Sequence, residues 1–277
     1  MQALRGLRTL AMTAAAMLAA STASAATYTK IFAQNDPVPG AGIRAGIGSG
    51  AVFASFGVPA INASGVVAFR GTWKSSAGSG SAIFVGGVAV AVTGDVALLY
   101  SGQFATISTL KDPVIDDAGR VAFPGTVKGP TINAANNSVL MGNTLSVSIT
   151  LAKAQEGTAA PGVAGSQWAS FTSVAAPGGA RGMMISGFMK QGFGGITALN
   201  DHGVWATDAS GVLQLVLQTG TTVININGTN KTVRSFVVLT TVSGTPGQTH
   251  AFNDAAELVV RVTFTDSTTA EVHVGLP

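Results

Sequence analysis

Twelve carboxylates, three histidines and no cysteine make up the acid–base and metal-ligating groups of this chain. Without cysteine there is no thiolate metal site, iron–sulfur cluster, disulfide scaffold or cysteine nucleophile. A glycoside-cleaving pair needs two carboxylates within about 5–10 Å of each other in one cleft. Asp95, Asp116, Asp117, Glu156, Asp201 and Asp254 instead fall in recurring turns, Asp208 lies in Asp-Ala-Ser-Gly, and Asp36 aligns with the turns. Asp112, Glu257, Asp266 and Glu271 remain, and no pair stands out among them. His202, His250 and His273 are isolated in sequence, so a metal site would need them to converge in space. Ser64, Ser186 and Ser210 lack the Gly-x-Ser-x-Gly elbow, and Gly192–Gly195 lacks the Gly-Lys-Ser/Thr of a phosphate loop. Asp116-Asp117 and Asn200-Asp201 lack the spaced oxygen ligands of an EF-hand. No catalytic, cofactor-binding or metal-binding residue is expected. The remaining chemistry belongs to Arg70, Arg181 and Arg261, which could together hold an acidic substrate.

Composition points to the scaffold that must position such groups. Charged residues are 10% of the chain and apolar residues 47%, against a typical charged share of about 25%. That balance excludes intrinsic disorder. With 36 glycines and abundant Val, Ala, Ser and Thr, it predicts short strands and tight turns. Residues 1–25 read as an export signal: Arg5 and Arg8, an Ala-rich apolar stretch from Leu10 to Ala20, then Ala23-Ser24-Ala25 before a mature start at Ala26. The apolar stretch is shorter than the ~20 residues that span a bilayer. Loss of the two arginines lowers the formal charge from +3 to about +1. No basic stripe is visible along the sequence, so nucleic acid is not an expected partner.

Internal repetition carries most of the information. Phe56-Gly-Val-Pro59-Ala-Ile-Asn62-Ala-Ser-Gly65-Val-Val-Ala-Phe69 recurs 54 residues later as Leu110-Lys-Asp-Pro113-Val-Ile-Asp116-Asp-Ala-Gly119-Arg-Val-Ala-Phe123. Weaker copies run from Gly179 through Gly182 to Ser186 and from Asn253 to Val260. Aromatic pairs or their remnants precede the copies: Phe53/Phe56, Phe104/Ile107, Trp168/Phe171 and Val233/Phe236. A strand follows each, at Ala82–Val85, Ser138–Met141, Gly203–Ala206 (with Trp205) and Ala270–Val274. Proline fixes the entry to the motif, Asn or Asp caps an Asx-turn, and glycine supplies a positive φ. The large aromatics, including Phe56, Phe69, Phe84, Phe123, Trp168, Phe171 and Trp205, are expected in the core between repeats.

The repeats occupy roughly 53–95, 104–157, 168–220 and 233–274 of a single domain, 26–277. The last has no room for a fourth strand, and Tyr28–Asp36 at the other end of the chain resembles the missing piece. A repeat split across the termini suits a closed ring, which removes sheet edges. The expected fold is therefore all-β: a β-propeller-like closed array of four four-stranded blades, the N-terminal strand completing the last. An open β-solenoid or repeat sandwich is the alternative. The intervals around Gly187–Asn200 and Val223–Lys231 differ most between repeats and are the places to look for a binding surface.

The Asn-x-x-Gly-x-x-Ala-Phe unit, with Gly94-Asp95 and Gly203-Val-Trp-Ala-Thr-Asp208, resembles the exported bacterial NxxGxxxF tandem-repeat proteins of the choice-of-anchor type. That resemblance covers residues 28–274 and implies an extracytoplasmic location and no established activity. The third copy lacks the Asn, and no sorting anchor is expected after Pro277. The expected function is that of an exported, non-catalytic binding or structural module for a glycan, an envelope component or a protein. It is expected to be monomeric, free of cofactors and without a membrane span. The alternative is a hydrolase or lyase acting on an extracellular polysaccharide.

Overall fold

The computed structural model describes residues 29–143, 150–176, 183–208, 210–238, 241–242, 245–249, 255 and 257–277. The leader 1–25, Tyr28, Arg181, Gly182, His250, Asn253 and Asp254 lie outside these residues. All regular structure among the described residues is strand, as Val/Ala/Thr alternation broken by glycine dictates. Of the first compact unit, Met1–Phe32, only 29–32 are described, and they carry no regular structure.

The second unit, Ala33–Pro277, is a propeller-like succession of antiparallel sheets in chain order. The first sheet holds β1 (Val52–Phe56), β2 (Ala60–Ile61), β3 (Val67–Ser75), β4 (Gly78–Val85) and β5 (Val88–Val92), in the order β1-β3-β4-β5 with β2 on β3. The second holds β6 (Val96–Leu98), β7 (Phe104–Leu110), β8 (Val114–Ile115), β9 (Val121–Lys128), β10 (Ser138–Asn143) and β11 (Thr150–Gln155). In it β6, β7, β9, β10 and β11 pair in a closed cycle, and β11–β6 is the parallel pairing. The third is the meander β12 (Trp168–Ala175), β13 (Met184–Met189), β14 (His202–Thr207) and β15 (Leu213–Gln218). Then come β16 (Val223–Ile226), β17 (Thr229–Val237), a small hairpin of β18 (Thr241–Val242) and β19 (Thr245–Thr249), β20 (Glu257–Phe264) and β21 (Thr269–Gly275). The fourth sheet runs β16-β17-β20-β21.

Register defines the repeat. The first strand of each sheet faces its second through Phe53↔Trp73, Ile107↔Val127, Trp168↔Met189 and Val233↔Phe264. The counterpart of Phe53 is thus Ile107, and Phe104 lies three residues earlier with 62% of its surface exposed. The fourth sheet reaches four strands through β16, an addition on the β17 side. There Asn227 and Gly228, with φ +51° and +85°, form the two-residue turn that a tight hairpin requires. The place beyond the third strand, filled by β5, β11 and β15 elsewhere, has no counterpart in that path, where β21 is the edge.

One turn ends each of the first three units and grips the next. The Gly94, Gly157 and Gly220 amides donate to the Ile107, Trp168 and Val233 carbonyls at 2.7–2.9 Å. The amides of Ile107, Trp168 and Val233 donate back to Asp95, Thr158 and Thr222 at 2.8–2.9 Å. Each glycine has a positive φ, from +69° to +98°. Ala33–Asp36 makes the same clasp: Asn35, at φ +70°, donates to the Phe53 carbonyl (2.8 Å), and Phe53 donates to Asp36 (3.0 Å). The N-terminal segment therefore ends in the turn that closes a repeat.

The motif turns form as their chemistry demands. Asn62 Oδ1 accepts from the Ser64 and Val66 amides at 3.1 and 2.9 Å, Asp116 Oδ1 accepts from Arg120 at 2.8 Å, and Gly65 and Gly119 sit at φ +76° and +75°. Pro59 and Pro113 lead directly into β2 and β8. The two turns also bond to each other. Asn62 Nδ2 donates to the Asp116 carbonyl (3.1 Å), and the Ala63 amide donates to Asp117 Oδ1 (2.9 Å). A third turn with the same pattern is Asp208–Val212, between β14 and β15, where Asp208 Oδ1 accepts from Ser210 and Val212 at 2.9 and 3.0 Å.

Three apolar cores lie between successive sheets. Ile83, Val85 and Ala91 of the first pack with Ile107, Phe123 and Met141 of the second. Leu140 and Ala154 meet Trp168, Ile185 and Trp205. Met184, Val204 and Leu217 meet Val233, Val260 and Phe264. Phe69, Phe84, Phe123, Trp168 and Trp205 are buried, whereas Phe56 is 40% exposed. The Trp205 ring lies tilted against Trp168, 4.2 Å between centroids, and its Nε1 donates to the Pro161 carbonyl at 2.8 Å. Trp205→Ala should lower unfolding free energy by about 3–5 kcal/mol, and the exposed Val259→Ala by under ~0.5 kcal/mol, measured by urea unfolding. Asn62→Asp keeps an acceptor for its own turn but cannot donate to Asp116. A loss of about 1–2 kcal/mol is expected, with Asn62→Ala costing more.

Candidate functional site

The ionisable groups that chemistry would need are mostly tied into the scaffold. Arg70 Nε pairs with Asp112 at 2.9 Å, Arg44 with Asp95 at 2.6 Å, and Arg120 with the 1%-exposed Asp116 at 2.7 Å. Asp266 holds Lys231 at 2.8 Å, and Asp201 accepts from Gln191 at 2.7 Å. Hydrogen bonds from Ser210 and Gln214 lower the Asp208 pKa to about 2. Arg261 is exposed on β20 opposite Glu271, and Arg181 lies outside the described residues. The expected arginine set is therefore not assembled at one place among the described residues. Nor do three or more His, Asp or Glu side chains gather there as metal ligands.

One histidine has a role that the sequence did not suggest. His202 stacks between Phe188 and Phe236, each 4.3 Å away centroid to centroid, and so joins the third sheet to the fourth. Its Nε2 lies 3.0 Å from the buried Ser186 Oγ. Burial holds the imidazole below its ordinary pKa, with the charge of Asp201 acting in the opposite sense. Ser186 stands mid-strand, its partner ring covered on both faces by phenylalanine. The arrangement suits a packing joint rather than a nucleophile and base.

The outer face of β6, β7 and β9 is different. Val96↔Thr106 and Thr106↔Lys128 form one cross-strand row, and Leu98↔Phe104 forms the next. Alternation turns Ala97, Leu99, Ala105 and Val127 inward and leaves Val96 53% and Phe104 62% exposed. At the hairpin tip Tyr100 is 54% exposed, and Gln103 Oε1 accepts from Thr131 at 2.9 Å, which orients the Gln103 amide. The hairpin thus presents two rings and an amide to solvent, Phe104 from the strand and Tyr100 and Gln103 from the turn. In the expected region Gly187–Asn200, Phe193 is exposed with Lys190 Nζ 4.8 Å above its ring. In Val223–Lys231 the structure places the β16–β17 hairpin.

Sheets laid down in chain order and clasped turn to strand define an all-β repeat protein of the propeller-like class. The chain belongs to the family of unknown function DUF7453, which residues 9–274 match. No curated protein and no solved structure matches it. Among the described residues no helix is long and apolar enough to cross a membrane.

A histidine whose folded pKa is depressed contributes stability above its unfolded pKa, and that stability is lost as pH falls. The melting temperature should therefore drop as pH is lowered from 7.5 through about 6.5 to 5. In His202→Phe, which keeps the stack, that part of the drop should vanish, a difference of about 2–4 °C per kcal/mol. Parallel pH profiles for the two proteins would remove His202 as the titrating joint.

Proposed function

We propose that this chain is an exported, non-catalytic repeat module that binds a glycan through its surface. The β6–β7 hairpin carries the reading: Phe104 lies exposed at the start of a hydrogen-bonded strand and Tyr100 at the hairpin tip, beside an amide fixed through Thr131. Pyranose rings present apolar C–H faces to aromatic rings and hydroxyls to amides, and a platform held by strands loses little freedom on binding. The engagement of the acids in turns and ion pairs supports a binding role over a hydrolytic one. Export rests on the leader at residues 1–25, and the likeness of the motif turns to exported tandem-repeat proteins agrees with it. The protein acts as a monomer in this reading.

The test is thermal unfolding and calorimetric titration of the protein with a panel of cell-wall and other polysaccharides. A ligand at about 100 times its Kd adds about 2.7 kcal/mol of stability. Phe104→Ala should weaken the bound glycan about tenfold, the equivalent of ~1.4 kcal/mol, and Val88→Ala should leave it unchanged. Binding that ignores Phe104 and Tyr100 would move the site elsewhere.

A further inference from the structure

The basic residues look scattered in sequence, but three of them share one place in the repeat. Lys74, Lys128 and Lys190 each follow the inward residue that faces the first strand, namely Trp73, Val127 and Met189. Their backbone partners are equivalent too: Val52 pairs with Lys74, Thr106 with Lys128, and the Lys190 amide donates to Gln167. The fourth unit has Thr265 there, donating to Thr232. The repeat thus sets one lysine at or next to the end of the second strand of the repeat in each of three successive sheets.

None of the three forms an ion pair among the described residues, and neither do Lys111, Lys153, Arg234 and Arg261, whereas Arg44, Arg70, Arg120 and Lys231 do; what sets the three apart is their equivalent place in the repeat. Two of them stand by an exposed ring. Phe104 lies two residues along β7 from Thr106, the partner of Lys128, and Phe193 lies beneath Lys190. A cation with no internal carboxylate, twice beside an apolar ring, matches a ligand that repeats an anion beside an apolar face.

We propose that this lysine row binds an acidic polysaccharide of uronate type, its carboxylates meeting Lys74, Lys128 and Lys190 and its pyranose faces meeting Phe104 and Phe193. The proposal rests on the glycan-binding reading and adds the ligand's charge and direction. Sheets packed face to face stand about 10 Å apart, so the row offers sparse charge. Duplex DNA carries one charge per ~1.7 Å and calls for clustered cations, so the spacing favours widely set carboxylates.

The experiment titrates the purified protein with polygalacturonate, a neutral β-glucan and a DNA duplex at two salt concentrations. The triple variant Lys74→Gln/Lys128→Gln/Lys190→Gln should bind polygalacturonate at least about 30-fold more weakly. Lys111→Gln/Lys153→Gln/Arg261→Gln, which removes equal charge from other exposed positions, should change it less than about threefold. Raising the salt should weaken wild-type binding, because the Debye length shortens and the lysine charges are screened. Melting temperatures establish that the variants fold, and Lys128→Glu alone should also weaken binding if the triple variant does not fold. Equal losses in both triple variants would reduce the row to bulk charge and overturn the proposal. Preference for the DNA duplex would replace it with a nucleic-acid surface. Neutral-glucan binding that depends on Phe104 but not on the lysines would overturn the row and leave the glycan reading standing. Binding to no polysaccharide would remove both.

Discussion

Each sheet of this protein is anchored to the next by a pair of backbone hydrogen bonds between a closing turn and the first following strand. The glycine or Asn35 at that turn has to adopt a positive φ, because only then does its amide point at the neighbouring carbonyl while the chain reverses. The residue that receives the bond (Phe53, Ile107, Trp168 or Val233) is also the one whose side chain enters a core. Backbone register and side-chain burial are therefore set at the same residue. A slip of one position would turn the whole strand inside out, so the clasp fixes which residues become core and which become surface.

The remaining differences between units follow from what fills the space around that invariant. Small side chains allow close approach: a side chain at Gly71 would meet Phe53 and Phe84, and one at Gly203 would meet Trp205. Between β5 and β7 the chain adds β6, which pairs with β7 on one side and with β11 on the other. That closes the second sheet on itself and stiffens the hairpin bearing Tyr100 and Phe104. The fourth sheet shows the opposite treatment. Leu258, Val260 and Val262 face the third sheet, while Val259 and Arg261 face solvent, the clean alternation of a sheet wetted on one side.

Much of this was legible from the residues. The Pro-x-x-Asn/Asp-x-x-Gly frame gave the turns at Asn62 and Asp116, because an Asx-turn needs those types at that spacing. The strands at Ala82–Val85, Ser138–Met141 and Gly203–Ala206 lie within β4, β10 and β14. Other features were hidden for physical reasons. Matching ring to ring set Phe104 against Phe53, but bond geometry aligns Ile107, since a core position accepts any large apolar side chain. The Asp208 turn repeats the Asn62 pattern at a different place in the unit, which a fixed period overlooks. The Asn227-Gly228 pair was a hairpin signal that the repeat frame obscured. The lysine row does not show as a charge cluster along the chain, because its interval is the repeat itself. Contacts made across sheets, such as His202 between Phe188 and Phe236, leave no local pattern at all.

A scaffold with few charges leaves a short list of groups free for recognition. The amides of Gln155 and Gln218 are taken by the Asn136 and Asn200 carbonyls at 2.9 and 2.7 Å, in equivalent places in two sheets. Asp95, Asp116, Asp117 and Asp208 are taken by turns, and Arg44, Arg70 and Arg120 by those acids or Asp112. Gln155, Gln218 and Asp116 are buried, and a buried polar group must be satisfied where it stands, so these three cannot serve a ligand without loosening the fold. What the structure does not require is different in kind: exposed rings, an oriented amide and lysines with no internal carboxylate. Binding built from such leftovers can change its ligand without changing the fold, because it uses none of the contacts that hold the sheets together.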